Sequence, residues 1–320
     1  YVTKLKSFLK NMTKISIVTP TFNEEKNIEF LCNEVKKEMD SIGLDYEHII
    51  IDNASTDKTE SILRKLADKD KKIKVILNRK NFGPIRSHMH GIFQATGDAC
   101  IYMSADFQDP TTLIPKYIEQ WKKGFKIVLA KKNSSQESFF MKNVRSLFYK
   151  LINKISEIDL TQNTTGAGLF DKRVINDLRK LEDPYPYFRG LLLELGYKYI
   201  TINFDQPKRK YGETSTSFLS LYDYAINGII KHSKLPLRIF TLFGFVLSLI
   251  SILVAIVFFI YKILFWDSFE LGMAPIIIGI FGFGGFQMFL LGLLGEYILS
   301  IFTHARKIPL VYEKERINFD

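Results

Sequence analysis

Two stretches near the carboxyl end constrain this chain more than any other feature. Ile239 to Tyr261 and Leu271 to Gly295, about 23 and about 25 residues, carry no charged side chain. At 1.5 Å per residue, each exceeds the roughly 20 residues that cross the hydrocarbon core of a bilayer. A helix buried in a soluble core is rarely so long and so apolar, so both read as transmembrane helices. Gly279, Gly282, Gly284 and Gly285 would let helices approach closely in the second. Lys231, Lys234 and Arg238 precede the pair, and Arg306 and Lys307 follow it. The preference of Lys and Arg for the cytoplasmic side then puts both flanks inside and the short loop outside.

The 320-residue chain divides around that hairpin. Residues 1–11 read as a disordered arm or an artificial remnant, without the apolar core of a signal peptide. Residues 12–213 read as one α/β domain, 214–236 as a juxtamembrane amphipathic helix, 237–303 as the hairpin and 304–320 as a cytoplasmic tail. The two cysteines, Cys32 and Cys100, lack metal-ligand or CxxC spacing and sit in apolar runs, so they read as small core residues. The net charge of +10 is scattered. It is a solvated surface or, beside apolar spans, an attraction to anionic headgroups. Nucleic acid is not an expected partner, because no basic helix interleaved with exposed aromatics is present.

Short apolar runs alternate with helical periodicities from Ile15 to Ala130. Ile15–Thr19, His48–Asp52, Ile73–Leu77, Ala99–Met103 and Lys126–Ala130 read as strands; Ile28–Met39, Glu60–Leu66 and Thr111–Trp121 read as helices. Ser55-Thr56-Asp57 can cap the second helix through its first-turn amides. The alternation predicts a mostly parallel, doubly wound sheet, whose ligand lies beyond the carboxyl ends of the strands. Asn23 and Glu24, Asp52 and Asn53, Asn81, and Asp106 and Gln108 all follow strands, so they should converge on one edge. Ser138–Ile155 and Thr214–Lys231 are apolar at helical spacing. The first suits either packing or the membrane surface, and the second favours the membrane surface.

Within Ser104-Ala-Asp106-Phe-Gln108-Asp109-Pro110, Asp106 and Gln108 stand two apart. In an extended chain their oxygens point the same way. A carboxylate and an amide carbonyl, completed by phosphates and water, suit Mg2+ or Mn2+. Taken alone, the stretch reads more readily as a capping turn before the following helix.

The neighbouring motifs change that balance. Val18-Thr-Pro20-Thr-Phe22-Asn23-Glu24-Glu, Ile51-Asp52-Asn-Ala-Ser55-Thr-Asp57, Asn81-Phe-Gly83, Gly97-Asp98 and Ala105-Asp106-Phe-Gln108-Asp109-Pro110 together resemble glycosyltransferase family 2. Thr165-Gly-Ala-Gly-Leu-Phe-Asp171, Tyr185-Pro-Tyr-Phe-Arg189-Gly190 and Gln206-Pro-Lys-Arg209-Lys-Tyr-Gly212 resemble its polyprenyl-phosphate branch, near the bactoprenol glucosyltransferases and dolichol-phosphate mannose synthases. The resemblance covers nearly the whole chain after Met12. It implies a GT-A fold, a divalent cation, homo-oligomers, and transfer of one sugar, with inversion, from a nucleotide diphosphate to a lipid phosphate at the cytoplasmic face of the plasma membrane. It places Pro20, Phe22, Asn23, Glu24, Asp52, Asn81, Ser104 and Ala105 at the nucleotide sugar and Asp106 and Gln108 at the metal. Lys132, Lys142 and Ser146 fall at the acceptor phosphate, and Arg209 at the diphosphate. Asp106, Lys132 and Arg209 are the expected catalytic residues.

Two departures stand out. The first acid of the usual Asp-x-Asp is Ser104, and a Ser-Lys pair of the family is Thr214-Ser215, so that cation is either missing or replaced by Lys208 or Lys210. The acceptor is a phosphate monoester with a second pKa of about 6, so it needs no general base. A processive polysaccharide synthase would carry a Gln-x-x-Arg-Trp motif and more spans, and neither is present. A nucleotide-binding membrane scaffold without catalysis is the other alternative.

Overall fold

The computed structural model describes residues 13–133, 164–207, 235–265 and 273–319. The helices expected over Ser138–Ile155 and Thr214–Lys231 lie outside them. Five strands stand where the sequence places them: β1 (Lys14–Thr21), β2 (Asp45–Asp52), β3 (Ile73–Asn78), β4 (Ala99–Tyr102) and β5 (Ile127–Lys132). Three more join them: β6 (Thr164–Asp171), β7 (Tyr199–Phe204) and β8 (Glu313–Ile317). One sheet runs β7-β5-β6-β4-β1-β2-β3-β8. β4, β1, β2 and β3 are mutually parallel, while β6 is antiparallel to both β4 and β5. β7 pairs parallel with β5, and β8 closes the far edge antiparallel to β3. The strands at the centre are apolar without alternation because helices cover both faces; Ile49, Ile50 and Ile51 of β2 are all fully buried.

One face is covered by α1 (Ile28–Ile42), α2 (Thr59–Lys69) and α4 (Leu113–Lys122), the other by α3 (Pro84–Gln94), α5 (Lys172–Lys180) and α6 (Phe188–Glu194). α1 buries Ile28, Leu31, Cys32, Val35 and Met39, the three-and-four spacing of one helical stripe. It stops at Gly43, whose φ of 66° suits glycine and whose N–H bonds to Met39 O. Burial pushes the Cys32 thiol up to about 12 and the Cys100 thiol higher still, as befits inert core residues.

The glycine of the Gly97-Asp98 motif has a packing role at the opposite, amino edge of the sheet. A Cβ on Gly97 would lie 2.6 Å from Lys14 O and 2.8 Å from Ser16 N. Asp98 Oδ2 accepts from the Lys14 N–H at 3.1 Å. Beside them the buried carboxylate of Glu47 accepts from Ser16, Thr96 and Lys14.

Two long apolar helices follow, α7 (Leu235–Leu264) and α8 (Met273–Ala305). Phe240 packs on Phe289 and Phe243 on Phe286, with ring centroids 5.5 and 5.2 Å apart, which fixes an antiparallel pair. The close approach expected at the glycines is not found at Gly279 or Gly284, where an added Cβ would meet nothing within 4 Å. Among the described residues, phenylalanine rings make the contact between the two helices. α8 also runs past Gly295 and Glu296, because one carboxylate does not end a helix. Its stretch Phe286–Ala305 is long and apolar enough to cross a membrane, and 0% of it is buried in the rest of the chain.

The expected tail, 304–320, packs on the α/β domain. Arg79 N donates to Tyr312 O, Arg79 Nε to Glu313 O, and Arg86 to the carbonyls of Pro309 and Leu310 at 2.8 and 2.7 Å.

Candidate functional site

The pairing directions bring the carboxyl ends of β1, β2, β3, β4, β5 and β7 to one edge of the sheet, with the amino ends of β6 and β8. The chain moves outward from β1 to β2 and β3, then returns to place β4 on the other side of β1. Open α/β sheets bind ligands at such a reversal. Pro20, Phe22, Asn23, Glu24, Asp52, Asn81, Ser104, Ala105, Asp106, Gln108 and Lys132 all lie on this edge. Lys142, Ser146 and Arg209, with Lys208, Lys210, Thr214 and Ser215, fall outside the described residues.

The loops after β1 and β2 are knitted together. Asn23 has a left-handed φ of 57°, which asparagine tolerates. Its N–H donates to Ser55 Oγ at 2.9 Å, and its Oδ1 accepts from the Thr56 N–H at 2.8 Å. The Glu24 N–H donates to Thr59 Oγ1, and the Glu25 N–H to Asp57 Oδ2. Asp52, 1% exposed, accepts from Ser55 Oγ and Ser55 N, and burial raises its pKa. Ser55 therefore serves Asp52 and Asn23 and does not cap α2. Asp57 comes closest to the predicted cap, accepting from Thr59 N at 2.9 Å, although the capping position itself, Lys58, makes no side-chain bond.

Asn53 organises the next loop. Its Oδ1 accepts from Phe82 N, Ser87 Oγ and Asn78 Nδ2, and its Nδ2 donates to Asn81 Oδ1 at 2.7 Å. Asn81 Oδ1 also accepts from Gly83 N. These bonds fix the shape of the loop; Asn53 was expected on this edge, whereas Asn78 and Ser87 were not among the predicted site residues. Nothing in the spacing of Asn78 and Ser87 marks them, because the network joins separate elements.

The turn after β4 departs from the extended form assumed for Asp106 and Gln108. Phe107 has φ 59°, its ring lies 5.2 Å from that of Phe30, and Gln108 N donates back to Asp106 Oδ1 at 3.2 Å. The carboxylate folds over its own backbone, as short Asp turns do. Gln206 Nε2, after β7, donates to Gln108 Oε1 at 3.4 Å. Ser104 Oγ donates to Asp109 Oδ2 at 2.8 Å. Asp109 is 6% exposed, its Oδ1 has no hydrogen-bond partner, and burial raises its pKa. The capping alternative is not supported, since α4 takes no side-chain cap.

Asp106, Gln108 and Asp109 offer oxygen donors on one turn, the donor type that hard divalent cations prefer. Among the described residues no group of three or more His, Cys, Asp or Glu is arranged to hold a metal by itself. A cation here would need oxygen from its ligand and from water.

A doubly wound sheet with polar loops gathered at its reversal defines an α/β protein with a ligand-binding edge. The profile of glycosyl transferase family 2 matches residues 16–179. A putative glycosyltransferase of Bacillus subtilis is 33% identical over 94% of this chain and 91% of its own length. The bactoprenol glucosyl transferase of Shigella phage SfX is 31% identical over 95% of this chain and 99% of its own. Glucosyl-3-phosphoglycerate synthase from Mycobacterium tuberculosis, solved with Mn2+, UDP and phosphoglyceric acid, shares the fold. Its TM-score is 0.50 and its identity 19%, over 68% of this chain and 77% of that one. The chain belongs to glycosyl transferase family 2 and is a glycosyltransferase. Its α/β part has the GT-A arrangement that the resemblance implied.

Proposed function

We propose that this enzyme transfers a single sugar, with inversion, from UDP-glucose or a related UDP-hexose to a polyprenyl phosphate such as undecaprenyl phosphate. The observation that carries the reading is the gathering of Pro20–Glu24, Asp52, Asp106–Gln108 and Lys132 on one edge of a sheet whose chain continues into α7 and α8. Relatives named bactoprenol glucosyl transferase support the acceptor. In this reading both helices span the plasma membrane, the α/β domain faces the cytoplasm, and the enzyme works as a homo-oligomer. The acceptor cannot leave the bilayer, so the enzyme is anchored beside it.

Pro20, Phe22, Asn23, Glu24, Asp52, Asn81, Ser104 and Ala105 line the nucleotide-sugar side. Asp106 and Gln108 would hold Mg2+ or Mn2+, which when bound supplies a Lewis acid for the leaving diphosphate. Lys132, with Lys142 and Ser146, meets the acceptor phosphate, and Arg209 meets the diphosphate. Lys132 in place of the usual Arg keeps the charge without the bidentate fork. The acceptor is mostly dianionic near pH 7, so these residues orient and neutralise and take no proton.

The test is sugar transfer to undecaprenyl phosphate in detergent with Mg2+ or Mn2+, comparing wild type with Asp106→Asn. The variant should lose on the order of 100-fold or more in kcat. Full activity in it would remove Asp106 from the site. Nucleotide binding by calorimetry without turnover on any UDP-hexose would favour a non-catalytic scaffold.

A further inference from the structure

We propose that Arg189, on α6, is the cation that stands between the two phosphate-bearing substrates; this rests on the reaction proposed above. Its place follows from the sheet. β6 pairs Gly168 with Tyr102 of β4 and Thr164 with Lys131 of β5. The first residues of β6 therefore project past the end of β4, beside the turn that carries Asp106, with Lys131 and Lys132 on their other flank. Neighbouring strands lie about 4.8 Å apart, so the start of β6 sits midway between the acidic turn and Lys132.

Arg189 reaches that point. Its Nη2 donates to Thr165 O at 3.0 Å. Gly166 has φ +89°, which suits glycine, and a Cβ there would stand in ordinary contact with Arg189 Nε at 3.5 Å, so the two are neighbours. The Thr165 side chain counters the burial that raises the Asp109 pKa, so the acidic turn lies beside the strand that Arg189 grips. The helix is anchored by its neighbour: Phe188 is 3% exposed and packs edge-on against Phe170 and His88, with centroids 5.2 and 5.1 Å away. A half-buried guanidinium is thus held on a rigid element at the centre of the edge.

The chemistry needs a cation there. A phosphate oxygen of the acceptor forms a bond to the anomeric carbon. The bond from that carbon to the donor diphosphate oxygen breaks, and the leaving nucleoside diphosphate keeps the electron pair. No proton moves, and the total charge of the two anions is unchanged. What opposes the step is their mutual repulsion at contact. Arginine stays protonated throughout and its planar fork can address oxygens of two phosphates.

The experiment compares the full-length wild type, Arg189→Gln and Arg189→Lys in detergent with UDP-glucose and undecaprenyl phosphate. We expect Arg189→Gln to lose on the order of 100-fold in kcat, with its UDP affinity by calorimetry and its unfolding temperature unchanged, and Arg189→Lys to recover part of the rate. Arg189→Gln with wild-type kcat and KM overturns the proposal. So does loss of activity in both variants that tracks a lowered unfolding temperature, which would leave Arg189 as a tie for Thr165. A wild type that transfers no sugar overturns the reaction itself, and the proposal with it.

Discussion

Glu47 shows what a buried charge requires in this chain. It is 1% exposed and accepts from Ser16 Oγ at 2.6 Å, Lys14 Nζ at 2.9 Å and both donors of Thr96 at 2.8 Å, with Lys74 Nζ at 3.0 Å. Burial by itself would raise its pKa, but these donors outweigh it and hold it down at about 2, from an ordinary 4.5. The depressed value stabilises the fold above the unfolded pKa, and that stabilisation is lost as pH falls from about 4.5 toward 2. By linkage it amounts to about 3 kcal/mol. Glu47→Gln should therefore unfold at lower temperature at pH 7, and the gap from wild type should narrow below pH 4.5 in thermal melts. Ser104 gives a second case. Its hydroxyl donates to the buried Asp109, so Ser104→Asp would set one carboxylate against another. The expected loss is about 1–3 kcal/mol, read as a lower unfolding temperature without divalent cation. The acidic stretch was legible in the sequence, but which carboxylate Ser104 serves was not.

The elements differ in how plainly they were written. β1 to β5 are apolar runs because both their faces are covered, and α1 carries its stripe at regular spacing. β8 reads Glu313-Lys-Glu-Arg-Ile, an exposed edge strand with almost no apolar signal. Its pairing depends on partners far away in the chain: Arg64 binds Glu315, Lys314 binds Glu60, and Asn318 Nδ2 donates to the carbonyls of Ala67 and Ile73. β6 was hidden for a different reason. Gly168 is poor strand material, yet a Cβ there would lie 2.1 Å from Val128 O, so neighbouring backbone demands glycine. Charged cover of a sheet edge also guards against pairing between chains. Arg86→Ala removes two bonds to the segment leading into β8. It should cost about 1–3 kcal/mol and speed proteolytic removal of the carboxyl-terminal residues in a timed digest.

For the molecule as a whole, the apolar carboxyl-terminal helices and the polar sheet edge belong to one arrangement. α8 ends where His304 lies 3.3 Å from Asp183, ahead of α6, and the chain then runs directly to β8. If both helices span a bilayer, the full-length protein should stay with membranes through an alkaline carbonate wash and be released by detergent; recovery in the wash supernatant would refute a spanning hairpin. The amino-acid sequence alone determined the alternation of strands and helices, the apolar helices, and which polar residues follow which strands, because these depend on local periodicity. It also carried the family motifs. Only the tertiary structure decided the turn at Phe107, the bonding of Asn23 and Ser55 between loops, the seating of the tail on β3 and the meeting of Arg189 with Thr165. Each of these joins residues distant in the chain or sets a backbone angle by packing, and neither leaves a period in the sequence.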